Sequence, residues 1–105
     1  MTKPKRRKLN KNIIVAFNRL HRSGRLLCRQ FSQSEEAAKI GGSYIYFTVR
    51  DNVKFPTGVG RFLIENGLAI SSSDGLFADT PQTFEAVDRP VFELFREQYE
   101  APQNV

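Results

Sequence analysis

The chain holds one histidine, His21, and one cysteine, Cys28. They would form a general base and its nucleophile if folding brought the imidazole within hydrogen-bond reach of the sulfur. Neither sits where such a pair is usually built. His21 falls on the apolar edge of a helical repeat, and Cys28 follows Leu26 and Leu27 in an apolar run. Both positions suit packing better than proton transfer. "GVGRF", following "FPT", lacks the third glycine of a dinucleotide fingerprint and the lysine of a P-loop. It reads as close-packed glycines in a short helix. No His or Cys cluster has metal-ligand spacing. The expectation is a protein that is not an enzyme and carries neither cofactor nor metal.

The remaining chemistry is charge. Lys3, Lys5, Arg6, Arg7, Lys8, Lys11, Arg19, Arg22, Arg25 and Arg29 precede the first acidic residue, Glu35. Residues 31–105 hold six Lys or Arg (16 − 10) and all eleven Asp and Glu, a net of −5 against +5 for the whole chain. A surface charged only for solubility would mix its signs. A clustered cation array binds polyanions by releasing condensed counterions, roughly one per phosphate neutralised. The candidate nucleic-acid contacts are therefore Lys3, Lys5, Arg6, Arg7 and Lys8 in an arm, and Lys11, Arg19 and Arg22 on the helix behind it. The competing reading is a solvated tail that contacts nothing.

The elements that would position these residues follow from periodicity. At 105 residues, 40 % of them apolar, the chain suits a single domain. One cysteine excludes an internal disulfide and points to a reducing compartment. No run of eighteen apolar residues is present, and no apolar stretch follows the basic N-terminus. The expectation is an intracellular protein, of cytoplasm or nucleoid, with no membrane partner. Residues 1–8 read as a disordered arm, 9–100 as the domain and 101–105 as a frayed end.

Ile13, Phe17 and Leu20 predict a helix from Asn10 to the Ser23-Gly24 stop. Arg25 to Phe31 reads as a strand, and Ser34 to Lys39 as a capped helical turn. Ser43 to Arg50 alternates as a strand, with Ile45, Phe47 and Val49 on one face and Tyr44, Tyr46, Thr48 and Arg50 on the other. That second face could stack bases, or simply be good strand chemistry. A helix from Pro56 or Thr57 to Gly67 follows. Strands at Leu68 to Ser72 and Gln82 to Val87 flank a turn at Ser73-Asp74-Gly75. Asp88 is placed to cap a last helix, Arg89 to Glu100. Its stripe of Val91, Phe92, Phe95 and Tyr99 either docks on the domain itself or pairs with a second copy to make a homodimer.

"GVGRFLIENGLAI" followed by "SSSDGLFADTPQTFEAV" resembles the second half of a winged-helix DNA-binding domain, over residues 56–87: a helix, a strand, a wing loop and a returning strand. The resemblance implies an α+β, winged-helix-like fold with a small three-stranded antiparallel sheet and about three helices. It also implies that the helix enters the major groove, with Lys54, Thr57 and Arg61 facing double-stranded DNA. The wing differs from the family in carrying Asp74 and Asp79 and no Lys or Arg. The function expected is a small DNA-binding protein that regulates transcription, the arm supplying affinity. A protein-interaction adaptor that binds another regulator is the alternative, and an RNA- or ribosome-associated protein the third reading.

Overall fold

The chain alternates helices and strands in the order α1 (Lys11–Arg22), β1 (Leu26–Phe31), α2 (Glu35–Ile40), β2 (Tyr44–Thr48), β3 (Val53–Phe55), α3 (Thr57–Glu65), β4 (Ala69–Ser71), β5 (Gln82–Ala86) and α4 (Arg89–Glu100). The computed structural model describes residues 7–71 and 82–101. The Ser73-Asp74-Gly75 turn, the wing residues Asp74 and Asp79, and Lys3, Lys5 and Arg6 lie outside them. The five strands make one antiparallel sheet in the order β3-β2-β1-β5-β4. An α+β fold with an antiparallel sheet is as expected, but the described residues give four helices and five strands rather than about three of each. The four segments read as strands all pair into this one sheet, and Val53–Phe55, too short for alternation to show, is the fifth; the fourth helix is the six-residue α2.

Local chemistry sets the ends of the helices. The Asn10 side chain accepts from the Asn12 amide at 2.8 Å and caps α1. Gly24, at φ +101°, takes the left-handed conformation that turns the chain out of α1. Ser34 caps α2 by accepting from the Ala37 amide at 3.2 Å. Asp88 occupies the N-cap position of α4 but its side chain makes no cap hydrogen bond. Its carboxylate instead accepts from Arg25 Nη2 at 2.7 Å, across the end of β1.

Register assigns the two faces of the sheet. Leu27 lies opposite Thr48 and Phe84, and Tyr46 opposite Arg29 and Phe55, so these share the face that packs beneath the helices. The core is Phe17 and Leu20 of α1, Leu27, Tyr46, Phe55, Leu63, Leu68, Phe84 and Phe92. The face of β2 that could have stacked bases is instead the core face. Tyr46 is 2 % exposed and Thr48 fully buried, whereas Ile45 and Phe47 lie half-buried on the other face with Leu26 and Ile70. Gly60 makes room for the tyrosine, since a Cβ there would stand 2.5 Å from Tyr46 Cγ. The Tyr46 hydroxyl donates to the Gly41 carbonyl at 3.1 Å. An aromatic ring with its single polar group satisfied is a core residue, so Tyr46 is not available to stack bases.

α4 docks on the domain. Phe92 stacks on Phe17 with ring centroids 4.0 Å apart, and Phe95 and Tyr99 meet Phe62 edge-on. Of the stripe expected either to dock on the domain or to pair with a second copy, Phe92 is core, Phe95 and Tyr99 are half-buried in this aromatic cluster, and Val91 alone is exposed. No described helix is long and apolar enough to cross a membrane.

Candidate nucleic-acid interface

α1 is the element on which the predicted contacts gather. Its inner face is fixed by Ala16, Phe17 and Leu20. At 100° per residue this leaves Lys11, Val15 and Arg22 on the outer side, with Arg19 at its margin. Lys11 and Arg22 are exposed, and among the described residues neither has an acidic partner within ion-pair distance. α1 itself carries no Asp or Glu. Arg19 is half-buried; its Nη2 donates to the Lys54 carbonyl at 3.1 Å and its guanidinium lies 5.9 Å from the Phe55 ring centre.

Part of this charge has a structural use. Arg19 and Arg22 stand in the last turn of α1, where cations favourably meet the helix dipole. Lys11 stands in the first turn, where the dipole disfavours a cation and no acidic side chain offsets it. Among the described residues no contact accounts for a lysine there.

The arm's root is held, not free. Arg7 Nε donates to the Tyr99 carbonyl at 3.0 Å, and its guanidinium sits 4.0 Å over the Tyr99 ring. Leu9 is buried, and its amide donates to Glu100 Oε2 at 2.9 Å. The expected disorder through Lys8 is thus corrected at Arg7, while Lys8 is exposed. Two further cations of the basic run are engaged within the fold. Arg25 binds the Ala86 carbonyl and Asp88, and Arg29 donates to the Gln82 side chain between the rings of Tyr44 and Phe84.

The three residues implied by the winged-helix resemblance do not form one open face. Lys54 Nζ pairs with Glu36 at 2.8 Å. Arg61 pairs with Glu65 at 3.1 Å, one turn on along α3, and lies beside Gly42. Thr57 is 3 % exposed, a correction to its place as a contact. Its hydroxyl closes no well-formed hydrogen bond, yet it stands near enough to Glu36 to assist Lys54, the main cause, in holding that carboxyl below its usual range.

One cation missed from sequence joins α1. The Arg50 side chain folds over Gly24, at the C-terminal end of the helix. In sequence it is a strand residue beside the tyrosines, and no local pattern marks a side chain that crosses between a strand end and a helix end. Arg89 reaches the same helix, donating to Asn18 Oδ1 at 2.6 Å.

His21 and Cys28 are packing residues. The Val87 carbonyl can only accept, so His21 donates Nε2–H to it, at 2.7 Å, and its ring stands 4.7 Å from that of Phe17. Cys28 lies on the sheet face away from α1, and burial pushes its thiol pKa up. The sheet separates the two, so they cannot act as a dyad. Among the described residues no three His, Cys, Asp or Glu side chains cluster as a metal site. Compared with known protein families, with curated proteins and with solved structures, the chain matches none.

Proposed function

We propose that this chain is a small DNA-binding protein, a regulator of transcription, that meets the phosphate backbone through the N-terminal basic run and the outer face of α1. The observation that carries the reading is the placement of Lys11 and Arg22. They are exposed, free of carboxylate partners among the described residues and continuous with Lys8, and Lys11 stands where it costs helix stability. A cation kept against the helix dipole fits a ligand of opposite charge. Arg19, Arg50 and Arg89 gather at the C-terminal half of α1 and Lys8 and Lys11 at its start, so a phosphate track along α1 would meet positive charge at both ends.

The winged-helix-like reading belongs to this proposal in altered form. The order α3, β4, β5 matches helix, strand and returning strand, and Arg61 remains half-exposed on α3. With Lys54 and Arg61 neutralised by Glu36 and Glu65, α1 rather than α3 leads the contact. Gel shifts against duplex DNA, single-stranded DNA and RNA at low and high salt test the reading. Duplex binding that weakens steeply with salt is expected. A preference for RNA would move the protein to the third class, and the absence of nucleic-acid binding at low salt would leave the adaptor reading in its place.

A further inference from the structure

α1 and α4 lie antiparallel, side by side. At one end the Leu9 amide binds Glu100; at the other Arg89 binds Asn18; between them Phe17 stacks on Phe92. Their outward stripes have opposite sign and the same design. On α1, Val15, 54 % exposed, stands among Lys11, Arg19 and Arg22. On α4, Leu94, 56 % exposed, stands beside Glu93 and Glu97, while Arg89, one turn before Glu93 in the same row, turns its guanidinium back to Asn18 of α1. Among the described residues Glu93 and Glu97, like Lys11 and Arg22, have no ion-pair partner. Both helices are 12 residues long, about 18 Å at the rise of an α-helix.

We propose that this two-helix face docks on the same face of a second copy of the chain. A two-fold axis would set the basic α1 of each protomer against the acidic α4 of the other. Neighbouring antiparallel helices of opposite charge meet the requirement of an isologous contact, in which every interaction occurs twice. Opposite signs favour the crossed arrangement, and like-charge repulsion disfavours α1 on α1 or α4 on α4. Val15 and Leu94 supply the apolar centre. Exposed ion pairs contribute little each and are screened by salt. A face of two helices about 18 Å long is also smaller than the roughly 800 Å² per partner of a stable complex. The dimer is therefore weak and salt-sensitive. It covers Lys11 and Arg22, so nucleic acid and the second copy compete; that competition rests on the function proposed above, whereas the docking does not.

Sedimentation velocity on the nuclease-treated full chain tests the docking without nucleic acid. At about 50 mM salt a concentration-dependent dimer is expected, and at about 500 mM a monomer. Lys11→Glu/Arg22→Glu makes both contacts acidic on acidic, and Glu93→Lys/Glu97→Lys makes both basic on basic. Each variant alone should be monomeric. Mixed in equal amounts they again oppose unlike charges at both contacts, and a heterodimer should form. All four positions are exposed, and circular dichroism confirms each fold before mixing. A wild-type chain that stays monomeric at low salt and high concentration would overturn the proposal. So would a dimer indifferent to both reversals, or a mixture that remains monomeric. Should a variant not fold, the wild-type salt series alone decides, because an apolar interface would persist at about 500 mM.

Discussion

At the scale of single residues, the positions that matter most are those whose polarity misleads. Tyr46 looks like a surface tyrosine in an alternating strand, yet its ring fills the space left by Gly60 and its hydroxyl binds Gly41. Burial raises its pKa above the ordinary tyrosine value. Below the unfolded-state pKa both states are protonated and stability is unaffected. As pH rises past that value the unfolded chain ionises first, and the fold loses stability up to the folded-state pKa. Tyr46→Phe should cost about 1 kcal/mol at neutral pH, because the hydroxyl's hydrogen bond is gone. It should also flatten the decline in stability above about pH 10. Urea melts at neutral and alkaline pH check both, and an unchanged alkaline slope would mean another group sets it. Lys11→Glu separates fold from function. It removes a charge opposed by the helix dipole and should stabilise the domain by about 0.3–1 kcal/mol, seen in thermal melts, while weakening DNA binding in the same preparation. Loss of stability would mean that Lys11 serves the fold.

At the scale of elements, α4 joins core and interface. Phe92 closes the core against Phe17, and the C-terminal turn of the same helix holds Arg7 and Leu9. Phe92→Ala should cost about 3–5 kcal/mol, and amide exchange should show α4 and residues 7–9 loosening together. Protection retained at residue 9 in that variant would show that the root is held without α4. Much of this level was legible in the sequence. The spacing of Ile13, Phe17 and Leu20, the Ser34 cap, and the Phe92, Phe95, Tyr99 stripe mark helices at nearly the observed limits. β3 was not legible, because three residues cannot display a period of two. The core face of β2 was hidden for a different reason. Ile45 and Phe47 look more core-like than Tyr46 and Thr48, and only the close approach of α3 at Gly60 decides between the faces. The candidate interface fared similarly. Lys11 and Arg22 were readable from helical phase, but Lys54 and Arg61 found carboxylates supplied by α2 and by the next turn of α3, and Arg50 reached α1 from across the fold.

At the scale of the whole molecule, the charge asymmetry becomes a spatial one. The basic run leads into α1, and the antiparallel neighbour α4 carries Glu93 and Glu97 on its outer side. A polyanion approaching the helical layer would be drawn to one stripe and repelled by the next, which fixes its line of approach. The most direct measurement is the salt dependence of binding to a duplex, by fluorescence anisotropy, for the wild type and for Lys11→Ala/Arg22→Ala. The logarithm of wild-type affinity should fall linearly with the logarithm of salt. The double substitution should reduce that slope by about two units, near 0.9 for each phosphate no longer neutralised. An unchanged slope in the variant, with both proteins equally folded, would contradict the assignment of α1 as the nucleic-acid interface.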